Sequence, residues 1–276
     1  MTDAESAAAD RAFAAWMREN LHRAAEHFGV TVTGADALGW RLLSISAPVD
    51  EDRWLRVTTE AIEWAHGDWW TGSIDANTIT GIRKPLVLDR TEWDIAGARR
   101  QRAELMTRVP GQPCSPTDAL HGELAVPSAW WDELREALEI LRAAPTDRVH
   151  KTQARLDVRT HQIFGETIPI RRWETVHGDL HWGNVFTPLA LVDWDHWGTG
   201  PFGTDEATLY CYARLAPATC QRVRETFADT LDSPDGRIAQ LHVLARLLHR
   251  ITVMGDHPEL EGPLREQAHE LLPDTS

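Results

Sequence analysis

Cysteine is scarce: Cys114, Cys211 and Cys220 are the only three in a chain of 276 residues. An odd, dispersed set with no C-x-x-C pair builds neither a disulfide framework nor a structural zinc site. Long apolar runs are missing as well. No stretch reaches the roughly 18 apolar residues that a membrane-spanning helix needs. The first ten residues are acidic and alanine-rich and lack a basic segment, so no signal peptide is read there and a reducing cytoplasm is the expected setting. Basic charge is outnumbered, 28 Lys and Arg against 42 Asp and Glu, for a formal net charge of −14. Such a surface repels phosphate backbones and anionic lipid. Nucleic acid and membrane are therefore not expected as partners, and a cationic small molecule suits the charge better.

Against these absences stand 42% hydrophobic and 25% charged residues, ordinary for a globular chain. The length exceeds one minimal core and suggests two lobes. Residues 4–28 read as a helix, with Phe13, Trp16, Met17 and Leu21 near the 3.6-residue period and Gly29 as its stop. Gly39–Ser46 and Trp54–Thr58 alternate as strands around a Pro48–Asp52 turn and suggest a hairpin. A short helix over 72–80, a strand over Lys84–Leu88 and another over Arg102–Thr107 follow. The run Val109-Pro110-Gly111-Gln112-Pro113 then breaks regular structure. Beyond it, Trp131, Leu134, Leu138 and Leu141 share one face of a helix over Ser128–Leu141, and a second helix is expected over 147–163. Val176–Asp193 reads as short strands and turns, and Asp205–Leu272 as helices broken by Pro217, Pro234 and Pro258. The pattern is α+β and bilobal, with a small β-rich N-terminal lobe over residues 1–108 and a larger, mainly helical C-terminal lobe over 109–276.

The informative segment is His177-Gly178-Asp179-Leu180-His181-Trp182-Gly183-Asn184. Asp179 and Asn184 stand in the D-x-x-x-x-N spacing of a kinase catalytic loop. That spacing sets a carboxylate beside an attacking hydroxyl and folds an amide oxygen back toward a metal on the phosphates. Next comes an apolar hairpin, Val185–Thr187 and Ala190–Val192 around Pro188, which returns Asp193 to the neighbourhood of Asn184. An amide and a carboxylate meeting there form the hard, oxygen-rich donor set that magnesium prefers.

His-Gly-Asp-Leu-His-x-x-Asn, an apolar hairpin and Val-Asp-Trp-Asp together resemble the signature of aminoglycoside phosphotransferases and related kinases. The resemblance implies a protein-kinase-like fold. It also implies transfer of the γ-phosphoryl group of ATP or GTP to a hydroxyl of a small acceptor, an antibiotic among the candidates. Asp179 would be the catalytic group, and Asn184 and Asp193 would hold Mg2+. Asp205 would anchor the loop without touching substrate. By the same resemblance Arg56, in Trp54-Leu55-Arg56-Val57, takes the phosphate-binding place usually held by Lys. Asp75 would hold Arg56, with Glu60 and Glu63 as rivals, and the hinge backbone around Glu104 to Met106 would meet the adenine edge. Arg56 standing for Lys and the missing G-x-G-x-x-G turn depart from the family pattern. They motivate an alternative, a kinase-like pseudoenzyme that binds nucleotide or a partner and regulates.

Other residues are expected in plainer roles. His181 reads as a structural hydrogen bond of the loop, His196 receives no role, and Trp182, Trp194 and Trp197 read as packing. Glu206, Asp256, Glu259 and Glu261 are candidates for an acidic acceptor wall, with Glu259 and Glu261 foremost.

Overall fold

The computed structural model describes residues 3–272. They form two compact units. One runs up to Asn77 and includes Pro85–Val109; the other combines Thr78–Lys84 with the residues from Pro110 onward.

In the first unit, α1 (Asp3–Phe28) precedes β1 (Ala37–Leu38), β2 (Ser44–Val49), β3 (Arg53–Ala61), α2 (Asp68–Asp75), β4 (Val87–Ile95) and β5 (Arg99–Thr107). The five strands make one antiparallel sheet in the order β1-β2-β3-β5-β4. Met17, Leu21 and Ala24 of α1 pack with Ile45, Leu55, Val57, Ala103 and Leu105 in its core. Side chains alternate along a strand, so Arg56, Arg102 and Glu104 point to the opposite face. There α2 receives them: Arg56 donates to Ser73 Oγ, and Arg102 to the Trp70 carbonyl.

Several boundaries differ from the sequence reading. Residues 40–42 form a 3-10 turn rather than strand, with Arg41 and Leu42 at positive φ. The short helix begins four residues earlier than expected, at Asp68. The strand expected to end at Leu88 runs on to Ile95. Its segment Asp89-Arg90-Thr91-Glu92 is polar because β4 is a sheet edge with much of its length in solvent.

In the second unit come β6 (Gln112–Pro113), α3 (Ser128–Ala143), α4 (Gln153–Phe164), β7 (Trp173–Val176), β8 (Phe186–Thr187) and β9 (Gly198–Pro201). Five helices follow: α5 (Thr204–Tyr212), α6 (Pro217–Thr226), α7 (Ala228–Leu231), α8 (Pro234–Met254) and α9 (Glu261–Leu271). Pro217 and Pro234 sit in first turns, where a missing N–H costs no helical bond. The α4 helix begins later than expected because Thr152 caps it, its side chain accepting from Arg155 N, and Gly165 ends it at φ 79°. Against α8 pack α4, α5, α7 and α9. Lys84, from the short Thr78–Lys84 excursion, is buried and donates its ammonium to the Ile79 carbonyl at 2.7 Å.

Candidate active site

The ribbon of β7 and β9 delivers the chain at Val176 into His177-Gly178-Asp179. Asp205, in the first turn of α5, accepts the backbone N–H of His177 at 2.7 Å and of Gly178 at 2.9 Å. This is the anchoring role the resemblance implied. Burial and the like charge of Glu206 push the Asp205 carboxyl up to about 7, against the pull of those two N–H donors. Gly178 has φ 83°, and a Cβ there would lie 2.4 Å from His150 Nδ1. The position therefore requires glycine on both counts. Burial lowers the His177 imidazole to about 4, so the ring is neutral at pH 7. Its Nε2–H donates to the Val192 carbonyl at 3.0 Å. That bond ties the start of the loop to the end of the hairpin.

Asn184 closes the loop. Its amide nitrogen donates to the Asp179 carbonyl at 2.9 Å and lies 3.1 Å from His181 Nε2. Its amide oxygen accepts no hydrogen bond among the described residues. The expected hairpin forms through Phe186 N to Ala190 O at 2.9 Å and Val192 N to Asn184 O at 3.0 Å, with Val185 bridging Leu191. This returns the chain at Asp193, which sits at φ 63° and opens a 3-10 turn over Trp194–His196. An uncommitted amide oxygen beside a returning carboxylate fits a hard divalent cation with oxygen ligands. Gly111, at φ 90°, lets β6 meet β8; a Cβ there would fall 2.2 Å from the Thr187 carbonyl oxygen.

The Asp179 carboxylate has Arg246 Nη1 at 3.6 Å and His181 Nε2 at 3.9 Å. Burial alone would raise its pKa. The neighbouring His181 ring and Arg246 guanidinium more than offset burial and hold the group well below the usual carboxylate range. Asp179 is therefore ionised throughout the neutral range. It is suited to orient a hydroxyl and to take its proton late, when the oxygen has become acidic.

The other expected site residues have definite places. Arg56 is no solvated strand residue: its side chain is 12% exposed and its guanidinium bonds Glu104, which is fully buried, at 2.8 Å. Asp75, at the end of α2, accepts from Thr71 Oγ1 at 2.6 Å. Glu104 and Met106 lie within the β5 ladder, opposite Arg56 and Trp54, and the chain leaves the sheet only after Thr107. The stretch read as a hinge is thus strand at its beginning, which engages the backbone of Glu104 and Met106 in sheet pairing. Trp182, Trp194 and Trp197 are all buried, and His181 Nδ1 accepts from Gly183 N at 3.2 Å. These are the packing and loop roles read from the sequence.

The acids read as an acceptor wall each lie beside a basic side chain. Glu206 pairs with Arg142, Asp256 with Arg250 and Glu261 with Arg265, while Glu259 lies near His257 and His121. A cavity whose wall includes Arg246, itself 3.6 Å from the Asp179 carboxylate, is basic. It measures about 430 Å³, and its wall includes His150, Lys151, Arg155, Arg159, Arg246 and Arg250 and no carboxylate among the described residues. The total charge of −14 does not describe this cavity. The sequence reading missed these residues, and it missed Asp118, whose carboxylate lies 3.6 Å from His181 Nε2 and 3.2 Å from Arg250 Nη1. Asp118 lies far upstream of the motif in the chain and carries no local sequence signal.

No family model matches the chain, and no curated protein matches it by sequence. Solved structures do match it. Aminoglycoside phosphotransferase APH(4)-Ia, solved as a thermostable mutant with ADP and hygromycin B, is 15% identical over 91% of this chain and 97% of its own, with a TM-score of 0.59. Aminoglycoside 2'-phosphotransferase-IIIa, solved with GDP, is 15% identical over 87% and 93%, with a TM-score of 0.55. The amicoumacin kinase hAmiN, solved with AMP-PNP, Ca2+ and Ami, is 11% identical over 88% and 87%, with a TM-score of 0.53. The fold is that of the aminoglycoside phosphotransferases and related small-molecule kinases.

Proposed function

We propose that the protein is a small-molecule kinase that transfers the γ-phosphoryl group of ATP or GTP to an acceptor hydroxyl. The observation that carries this reading is the convergence at one loop of an ionised Asp179, an uncommitted Asn184 oxygen and a hairpin-returned Asp193. A new bond forms between the acceptor oxygen and the γ-phosphorus as the bond from that phosphorus to the β–γ bridging oxygen breaks. Asp179 orients the hydroxyl and takes its proton, which passes on to water, and the nucleoside diphosphate leaves. Asn184 and Asp193 would hold Mg2+, which when bound offsets charge on the transferring group. Arg56, kept straight by Glu104, is the proposed phosphate grip, and Asp75 and Met106 remain proposed contributors to nucleotide binding. The solved neighbours with ADP, GDP and AMP-PNP support a nucleotide donor.

The regulatory, non-catalytic reading has its own motive. The turn between β2 and β3 has no glycine and is closed by an ion pair between Arg53 and Asp50. One experiment separates the two. Nucleotide with Mg2+ should raise the melting temperature, and nucleoside diphosphate should accumulate with an acceptor present. Stabilisation without turnover across a broad hydroxyl panel supports regulation, and absence of both removes the kinase reading.

A further inference from the structure

Two basic stripes face one cavity. Lys151, Arg155 and Arg159 recur every fourth residue into and along α4. His242, Arg246 and Arg250 recur at the same spacing along α8, with His249 one turn beyond Arg246. The two helices pack together, and all seven side chains line the cavity. Among them Lys151, Arg155, Arg159, Arg246 and Arg250 gather like charges, which repel one another, and burial increases the repulsion.

Some of this charge is neutralised internally. Arg250 pairs with Asp256 at 3.0 Å and Asp118 at 3.2 Å, and Arg246 approaches Asp179. The rest is not. Among the described residues no carboxylate forms an ion pair with Lys151, Arg155 or Arg159. Burial, then the neighbouring Arg246 and Arg155, lowers the Lys151 pKa. The cavity also touches the catalytic loop: Arg246 donates to the Gly178 carbonyl at 3.3 Å, and His150 packs against Gly178.

We infer that the acceptor is an anion: a hydroxyl-bearing small molecule with a carboxylate or a phosphate, held by Lys151, Arg155 and Arg159 with its hydroxyl toward Asp179. A guanidinium fork matches either group through two parallel hydrogen bonds. A volume of about 430 Å³ suits a molecule of sugar-acid or sugar-phosphate size. A polyamine would meet the same wall as repulsion. The reaction in this inference rests on the kinase reading; the binding of an anion does not.

The experiment therefore reads binding and turnover separately. Wild type, the Arg155→Gln/Arg159→Gln double variant and the control Arg222→Gln, which removes an exposed charge on α6, are melted with sugar acids, sugar phosphates, neutral polyols and kanamycin. Each acceptor is then assayed for phosphorylated product. The expected result is stabilisation of wild type and control by one anionic class, loss of that shift in the double variant, and at least a tenfold rise in its KM for that acceptor. Which class responds tells carboxylate from phosphate. Both arginines have solvent access, so the double variant should fold; a melting temperature no lower than wild type without ligand checks this. Anion stabilisation without phosphorylated product would uphold the site and sink the kinase reading. No stabilisation by any anion, an equal shift in the double variant, or turnover of kanamycin alone would overturn the inference whatever the fate of the kinase reading.

Discussion

The Asp205 carboxylate accepts the His177 backbone N–H at 2.7 Å and so ties the first turn of α5 to the entrance of the loop that carries Asp179 and Asn184. Its other oxygen takes the next N–H, that of Gly178. Asp205→Asn leaves one carbonyl oxygen to accept both donors and aims an amide N–H at one of them. The loop should shift, and small displacements of a reacting group are costly. Turnover should fall roughly 10–100-fold while nucleotide affinity changes little. Steady-state kinetics with nucleotide varied checks this, and an unchanged kcat would remove Asp205 as the anchor.

Asp179 and Asp193 should fail differently. Asp179→Asn should lower turnover by about 10²–10⁴-fold yet keep the melting shift given by nucleotide with Mg2+. Asp193→Ala should lose most of that shift, because the proposed metal ligand is gone. Identical binding behaviour in the two variants would mean that the roles are wrongly divided.

Arg142 bridges two nearly buried carboxylates, Glu174 at 2.6 Å and Glu206 at 2.5 Å. Burial, then the charge of Glu206, pushes Glu174 up to about 7, and Arg142 restrains the rise. A carboxyl whose folded pKa is raised binds more protons in the native state. Its stabilising contribution is complete below the unfolded pKa and is lost as pH rises through the folded value. Arg142→Met should destabilise the protein by about 3–5 kcal/mol, since buried carboxylates lose their counter-charge. The loss should be larger at pH 8.5 than at pH 6, because protonation of Glu174 relieves it on the acid side. Thermal melts at the two pH values decide, and a pH-independent loss would argue against the buried charge.

Arg56 carries a prediction of the same type. Arg56→Ala strips buried Glu104 of its 2.8 Å ion pair, leaving the longer contact with Arg102 at 3.5 Å, and should lower both melting temperature and nucleotide affinity. Arg56→Lys keeps a charge but loses the fork and should be milder in both. Titration with ATP and with GTP measures the affinity. Full affinity in Arg56→Ala would leave Arg56 a purely structural partner of Glu104.

The loop was legible in the sequence because its chemistry is local. Asp179, Asn184 and Asp193 lie within fifteen residues of chain and are joined by a hairpin whose apolar alternation is visible. The α1 helix and the β2–β3 hairpin were legible because each buries one face. Edge strand β4 was cut short because an exposed edge carries no apolar period. The basic lining of the cavity beside Arg246 is not visible in the net charge, which sums over surfaces that never face the cavity. The four-residue spacing of Lys151, Arg155 and Arg159 was present in the sequence, but only the packing of α4 on α8 sets it opposite a second basic stripe.

Of the chain's 28 basic residues only Lys84 and Lys151 are lysine. The first spends its ammonium on the Ile79 carbonyl inside the protein; the second lines the cavity, partly exposed and with a lowered pKa. Reagents that acylate amines, including the activated esters used to attach dyes or to fix a protein to a sensor surface, thus meet a single open lysine among the described residues. Burial and the neighbouring arginines lower its pKa, so a larger share of it is uncharged and nucleophilic than of a free lysine at the same pH. Labelling at modest excess should mark one lysine of this protein and obstruct the cavity as it does so, so an immobilised sample should be attached by other chemistry.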